Sequence, residues 1–439
     1  MPIRLKKRLS NLDIHTKEVF SKGYYSMIVK IFGIIARLLV SIFIGQTLGP
    51  EGLGNINLIN QIITILMVFS TLGLDNVLVK NISVGVSQRD FSSINNNIYS
   101  SVIIGLFSSF TVIVLGILSS RYLAEQIFES EFIYTPLLIM FCAILPQTIG
   151  QIYASGINGY RKVWQSNLLK EVLTSVIIGI GLIIYWIFAV EITILNIILL
   201  YALGKVVTFF SARAYWHKLF RKKNYKRVYD PSILKDSLPL LLVSSMVIIS
   251  TSTDVIMLGW LSDSAEVGLY SVASRLALFV LFFLQVSNSS LAPKIASFYE
   301  LNKKSDLQVL VQRVTLFLVP IGILFLFAFI LLGKPILGLW GVEFKEAYNI
   351  LIILGLGQLI NISTGCSGLL LILCGFGKVH SYISTGYAIF NIFLNFILIQ
   401  KFGAIGAATA TSLVIALENI TKVYFARKFT GILSIPLFK

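Results

Sequence analysis

The sequence predicts an all-α protein that crosses a membrane about twelve times, as two parallel six-helix bundles around a central cleft. Three observations carry this expectation. The first is composition: of 439 residues, 56% are hydrophobic and 13% are charged, and the mean hydropathy is +0.85. A water-soluble domain carries roughly 25% charge, so there is too little polar material here to cover a globule. The second is the number of apolar segments near 20 residues, the length that spans a bilayer. The third is the alternation of charge between successive loops.

The segments follow in order. The first, 24–48, comes after a basic, polar stretch, residues 1–22, and holds Lys30 and Arg37. No cleavable signal peptide is expected there, because the first apolar run is long enough to span. The second, 54–79, opens after Leu48-Gly49-Pro50 and is closed by Leu72-Gly73-Leu74. Segments at 96–120 and 132–156 follow, the latter with Pro136 and Pro146 as possible hinge points. Segments 167–189 and 192–214 are separated only by Val190 to Thr193. The second half supplies 237–260 with Asp254, 267–292 with Arg275, 310–332 with Pro320, then 347–374, 379–400 and 403–426.

The charges orient these spans. Arg4, Lys6, Lys7, Arg8, Lys17 and Lys22 precede the first, and the same side receives Lys80, Arg89, Arg161 and Lys162. The central segment 215–236 adds Lys218, Arg221, Lys222, Lys223, Lys226, Arg227 and Lys235. The opposite side is acidic, with Glu51, Glu125, Glu129, Glu131, Glu191, Asp263, Glu266, Glu343 and Glu346. Lys and Arg collect in cytoplasmic loops, so both termini are expected in the cytoplasm of a plasma-membrane protein. Most of the net charge of +16 therefore records topology, and nucleic acid is not an expected partner.

The basic segment divides the chain into an N-terminal lobe, 1–214, and a C-terminal lobe, 237–439. The lobes are weakly alike. Leu48-Gly49-Pro50-Glu51-Gly52-Leu53-Gly54 pairs with Ser262-Asp263-Ser264-Ala265-Glu266-Val267-Gly268, and Gly159-Tyr160-Arg161-Lys162-Val163 pairs with Gly375-Phe376-Gly377-Lys378-Val379. Six helices per copy is an even number, so the repeats are parallel.

Cys142, Cys366 and Cys374, with His15, His217 and His380, are too few for a disulfide framework or a metal cluster, and the cysteines read as small buried hydrophobes. No His cluster, paired loop carboxylates or Asp-x-Asp run marks an enzyme, and no cofactor is expected. Short external loops argue against membrane glycosyltransferases and polymerases, which mount their chemistry on large ones.

Read in order, these motifs resemble the Wzx-type polysaccharide flippases of the multidrug/oligosaccharidyl-lipid/polysaccharide exporter superfamily. The resemblance covers nearly the whole chain. It rests on the basic tail, the mid-span Arg37, Leu48–Gly54, Leu72-Gly73-Leu74, Thr253-Asp254-Val255-Ile256-Met257-Leu258-Gly259, Val267-Gly268-Leu269-Tyr270, and Ala292-Pro293-Lys294. It implies a MATE-like fold and a polyprenyl-diphosphate-linked oligosaccharide as substrate, the repeat unit of an O-antigen, capsule or exopolysaccharide. It also implies a polysaccharide polymerase and glycosyltransferases as partners. A cation-coupled multidrug exporter of the same superfamily is the alternative, but cationic drugs need acids where the first span has Lys30 and Arg37. Peptidoglycan-precursor flippases carry two further helices that this chain lacks.

A charge in hydrocarbon costs about 2.5–3.5 kcal/mol on insertion scales. Arg37 and Arg275, about 16 Å and 12 Å from the outer ends of their helices, are the first candidates for binding an anionic head group. Lys30, two turns before Arg37, and Lys205 extend the same cationic path. Asp254 is expected either as a charge partner for Arg275 or as a carboxylate coupled to proton or sodium movement. Glu418 and Lys422 form an i,i+4 pair. Tyr153, Tyr160, Trp164, Tyr270 and Tyr387 are aromatic candidates for sugar contacts.

Overall fold

A computed structural model describes residues 14–220 and 227–435. Every regular element among them is helical. In chain order these are α1 (Ile14–Thr71), α2 (Leu74–Gln88), α3 (Phe91–Tyr122), α4 (Glu131–Gly159), α5 (Val163–Ile187) and α6 (Ile194–Phe220). There follow α7 (Ser232–Leu261), α8 (Ser264–Glu300), α9 (Lys304–Leu337), α10 (Tyr348–Ser363), α11 (Ser367–Leu371) and α12 (Gly377–Thr430). Among the described residues, nine helices are long and apolar enough to cross a membrane. Arg4, Lys6, Lys7 and Arg8 of the basic tail lie outside the described residues, as do Arg221, Lys222, Lys223 and Lys226 of the central segment.

Some boundaries differ from the sequence expectation. Helix α1 begins at Ile14, within the polar stretch, because nothing in that stretch breaks a helix. The segment expected at 54–79 is interrupted at Leu72 and Gly73, which both adopt left-handed backbone (φ 50° and 74°). Cys142 is exposed, whereas Cys366 and Cys374 are buried as expected. In a membrane protein an outward apolar side chain contacts lipid, so an apolar run does not say which of its residues are interior.

The chain forms two compact units. One comprises Ile62–Ile248 together with the chain up to Phe43; the other comprises Ile44–Gln61 and Ile249–Lys439. The units thus cut across the sequence halves, exchanging the stretch around Gly49 and the first part of α7.

In the first unit Leu74, Val77, Leu78 and Ile82 form one face of α2 at helical spacing. They join a core with Ile94 and Ile98 of α3, Ile152 and Ile157 of α4 and Trp216 of α6. Lipid tails are as apolar as these side chains, so dense packing rather than transfer from water holds such helices together. The opposite behaviour is visible on α3, where Phe107, Phe110, Leu115 and Leu118 all point outward on one face.

In the second unit, Gly49 (φ 67°, ψ −171°) divides α1 into two limbs, a conformation only glycine adopts cheaply. Pro50 opens the second limb, where its missing N–H costs nothing. One turn on, Gly54 and Gly268 bring two backbones together. A Cβ on Gly54 would overlap the Ser264 carbonyl, and a Cβ on Gly268 would overlap the Pro50 carbonyl. Around this crossing Ser264 Oγ donates to Asn55 Oδ1 at 2.6 Å, and Asp263 caps α8 by accepting from Glu266 N at 2.8 Å. The Glu266 carboxylate then accepts from Ala404 N at 2.8 Å, where Gly403 breaks α12. An acidic group at a new helix start is favourable with the helix dipole.

Gly54→Ala and Gly268→Ala are each expected to destabilise the protein by at least the ~1–3 kcal/mol typical of overpacking. Gly377, beside which a Cβ meets nothing, is the control, and Gly377→Ala is expected within about 0.5 kcal/mol of wild type. Thermal unfolding of the purified protein in detergent compares the three; equal midpoints would contradict the close crossing.

Candidate functional site

Three of the four candidate cations lie in the first unit. Lys30 and Arg37 are exposed on the first limb of α1. Seven residues is close to two turns, so they share a face. The Arg37 guanidinium donates through Nη1 to the Glu171 carbonyl oxygen at 2.9 Å. That carbonyl belongs to a π-helical turn, Leu168–Val172, inside α5. A π turn disturbs the usual i→i−4 ladder, which makes such turns natural places for a side chain to meet the backbone. Gly33 permits the approach, since a Cβ there would press on Val172 and the Glu171 carbonyl.

The same π turn presents Lys170, a residue the sequence reading passed over. Lys170 and Lys205 both line a cavity of about 120 Å³ with Gln147, Gln151, Thr174 and Thr208, drawn from α4, α5 and α6. Lys170 Nζ donates to Ser155 Oγ at 2.8 Å, and Asp75 and Glu171 supply it with counter-charge. Lys205 is different. It makes no hydrogen bond or ion pair among the described residues, and no acidic group acts on it. The Gln147 Oε1 atom is buried without a donor. Two ammonium groups beside an unengaged amide oxygen suit a ligand that carries both anionic oxygens and hydroxyls. The clue in the sequence was the Lys170-Glu171 pair, two adjacent charges just inside a segment expected to span.

Arg275 lies in the second unit, half-buried on α8. It donates through Nη2 to Asn57 Oδ1 on the second limb of α1. Asn57 is itself buried at 8% exposure, so this contact is partly shielded from solvent and stronger for it.

Asp254 is not the ion-pair partner of Arg275. Its carboxylate is held by three neutral donors: Tyr270 Oη at 2.6 Å, Thr411 Oγ1 at 2.7 Å and Asn395 Nδ2 at 2.8 Å. Asn395 also donates to Asn391 Oδ1 at 3.0 Å, and Asn391 donates to Thr411 Oγ1 at 3.3 Å. The reason is placement. Tyr270 and Asn395 are almost fully enclosed, and together with Thr411 they saturate both carboxylate oxygens from α8 and the two limbs of α12. The Asn395 Oδ1 atom remains buried without a donor. Among the described residues no cluster of three or more His, Cys, Asp or Glu side chains is present; this nest is built mainly from neutral oxygens.

The remaining candidates resolve simply. Lys422 and Glu418 pair at 2.7 Å, and Ser384 donates to the same carboxylate at 2.8 Å. Tyr387 and Thr421 share a hydrogen bond of 2.8 Å. Tyr160 packs edge-on against Trp216, and Trp164 is exposed.

Comparison with known proteins extends this picture. The sequence pattern of a family described as "Polysaccharide biosynthesis protein" matches residues 19–299, and that of a family described as MatE matches residues 239–397. The "Probable low-salt glycan biosynthesis flippase Agl15" of Haloferax volcanii is 24% identical over 417 residues, 92% of this chain and 83% of that protein. The "Capsular polysaccharide biosynthesis protein CapF" of Staphylococcus aureus is 23% identical over 411 residues, 92% of this chain and 98% of that protein. Among solved structures, the inward-facing conformation of a multidrug resistance MATE family transporter of the MOP superfamily superposes with a TM-score of 0.80. It is 14% identical, over 93% of this chain and 98% of that one. The fold is the MATE-like all-α membrane fold that the sequence predicted.

The two arginines are expected to differ in stability cost. Arg275→Leu leaves the buried Asn57 amide without its partner and is expected to cost about 1–3 kcal/mol. Arg37→Leu, exposed and bonded to a single carbonyl, is expected to cost less than about 1 kcal/mol. Thermal unfolding in detergent measures both, and the reverse order would contradict the contacts described.

Proposed function

The chain belongs to the polysaccharide biosynthesis protein family, and from that premise we propose that it is a flippase for a polyprenyl-diphosphate-linked oligosaccharide. It turns the carrier's head group from the cytoplasmic to the outer leaflet of the plasma membrane by alternating access, using about twelve spans with both termini in the cytoplasm. It acts as a transporter and not as an enzyme. Its product feeds a polysaccharide polymerase, and glycosyltransferases supply its substrate. The names of the two curated relatives, a glycan biosynthesis flippase and a capsular polysaccharide biosynthesis protein, support this class of substrate.

The observation that carries the reading is the state of the cations. Among the described residues Lys205 has no counter-charge and Arg37 is anchored only by a backbone carbonyl, so neither charge is neutralised before a ligand arrives. A diphosphate supplies the missing anion. Arginine grips phosphate oxygens as a fork, and lysine acts as a point charge. Lys30 continues this path along α1. The multidrug reading is favoured by the structural likeness to a MATE transporter. It is the weaker of the two, because a drug cation would meet like charge at Lys30, Arg37 and Lys205.

The test is complementation of a flippase-deficient strain. Arg37→Ala and Arg275→Ala are each expected to abolish surface polysaccharide at matched expression, with Lys205→Gln reducing it at least about ten-fold. Normal surface polysaccharide in both arginine variants would overturn the proposal. Drug resistance conferred by the wild-type chain without effect on polysaccharide would favour the exporter.

Asp254 is the proposed coupling residue. Its nest of Tyr270, Asn391, Asn395 and Thr411 holds a carboxylate with oxygen neighbours, an arrangement that suits a proton or a sodium ion. Asp254→Asn keeps the shape and removes the charge. In proteoliposomes it is expected to remove at least about ten-fold of the stimulation of flipping by a proton or sodium gradient. An undiminished response to both gradients would exclude Asp254 from coupling.

A further inference from the structure

The first unit contains a second, larger recess, and of the residues considered for transport only Tyr153 lines it. It measures about 640 Å³ and lies between α3, α4 and α6. That volume falls in the range of small-molecule sites. Its composition changes along its length. One end is apolar, walled by Val102, Ile103 and Leu106 of α3 and Leu145 and Ile149 of α4. The other end is cationic, with Arg213 and His217 of α6 joined by Arg227. From Asn95 at the cationic end to Leu106 at the apolar end is eleven residues, about 16 Å along α3.

The cationic end is a built feature. Arg213 and His217 are four residues apart and so project from one face of α6. Phe209, Trp216 and Phe220 stand on the same side and line the recess between them. Arg227 is brought in from the chain beyond α6 and sits 5.9 Å over the Tyr99 ring. Two hydrogen bonds pin that stretch to α3: Val228 N donates to Asn96 Oδ1 at 3.0 Å, and Asp230 N donates to Ser100 Oγ at 2.8 Å. None of the described residues lining the recess is acidic. The basic residues stand where α3 begins and α6 ends, the side on which the sequence places its basic loops.

We propose that this recess holds an anionic phospholipid of the surrounding bilayer, a resident ligand distinct from the transported carrier. The phosphate lies among Arg213, His217 and Arg227. One acyl chain runs along the apolar wall toward Leu106. Charge complementarity selects the head group, because the lining offers cations and no acid to repel a phosphate. The apolar depth selects a lipid over a free anion, because phosphate alone leaves the apolar end of the recess unfilled. Basic residues that merely record membrane orientation would need neither the apolar wall nor the hydrogen bonds that fix Arg227.

The test is native mass spectrometry of the full chain, purified in neutral detergent and offered phosphatidylglycerol and phosphatidylcholine at equal concentration. Wild type is expected to retain one phosphatidylglycerol with a preference of about ten-fold or more. Arg213→Gln with Arg227→Gln is expected to lose that preference to within about two-fold; both side chains are exposed, so the fold does not depend on them. Leu106→Trp, which fills the apolar end and leaves the cations in place, is expected to lose retained lipid of both kinds. Equal retention of the two lipids by wild type, or an unchanged preference in the double variant, overturns the proposal. Displacement of phosphatidylglycerol by inorganic phosphate would mean that the head group binds without the chain, which also overturns it. Preferential retention of farnesyl diphosphate over phosphatidylglycerol would assign the recess to the carrier instead.

Discussion

The arrangement of the second unit depends on one backbone crossing. Gly54 and Gly268 each lie against a carbonyl of the opposite segment, where any larger residue would collide. The crossing sets the register of everything that follows along both helices. Asn57 is three residues beyond Gly54, and Arg275 is seven beyond Gly268, so both return to the contact face by helical spacing. Their hydrogen bond is a consequence of that register. One further turn brings Gln61 to Ser252 Oγ at 2.9 Å. The glycines touch no candidate ligand, yet they determine what the candidate arginine can reach.

The charged residues fall into distinct physical classes. Asp254 is fully satisfied by three neutral donors from two helices, α8 and α12. Glu418 and Lys422 neutralise each other within one helix. Lys170 is partly compensated by Asp75 and Glu171. Arg37 leans on a carbonyl within a π turn, and Lys205 has no counter-charge among the described residues. A buried cation without an anion is expensive, and Lys205 is offset only by the polar lining of its cavity.

Much of this was legible in the sequence. Apolar runs separated by polar turns marked the helices, and charge alternation marked their ends. The pair at Glu418 and Lys422 followed from helical spacing alone. Other features were hidden because they depend on neighbours distant in the chain. The π turn at Leu168–Val172 has no composition that sets it apart, and its effect on Lys170 is visible only beside α4 and α6. Leu72-Gly73-Leu74 reads as closing the second helix, yet the expected span runs to residue 79, past the break. For Asp254 the sequence left open a pairing with Arg275 and a role in ion coupling, and its actual donors Asn395 and Thr411 are contributed by a helix more than a hundred residues away.

The sequence by itself determined that this chain is helical, membrane-spanning and basic on one side. Those properties follow from composition and local periodicity, because hydrocarbon admits only elements that satisfy their own backbone. It also carried the family signature. Tertiary structure alone decided which charged groups find partners on other helices. Pairing is a matter of a few ångströms between side chains on different helices, and helical periodicity fixes the face a residue occupies but not the helix it faces. The same holds for the recess beside Arg213 and Arg227, whose apolar wall and cationic end are brought together only by the packing of three helices.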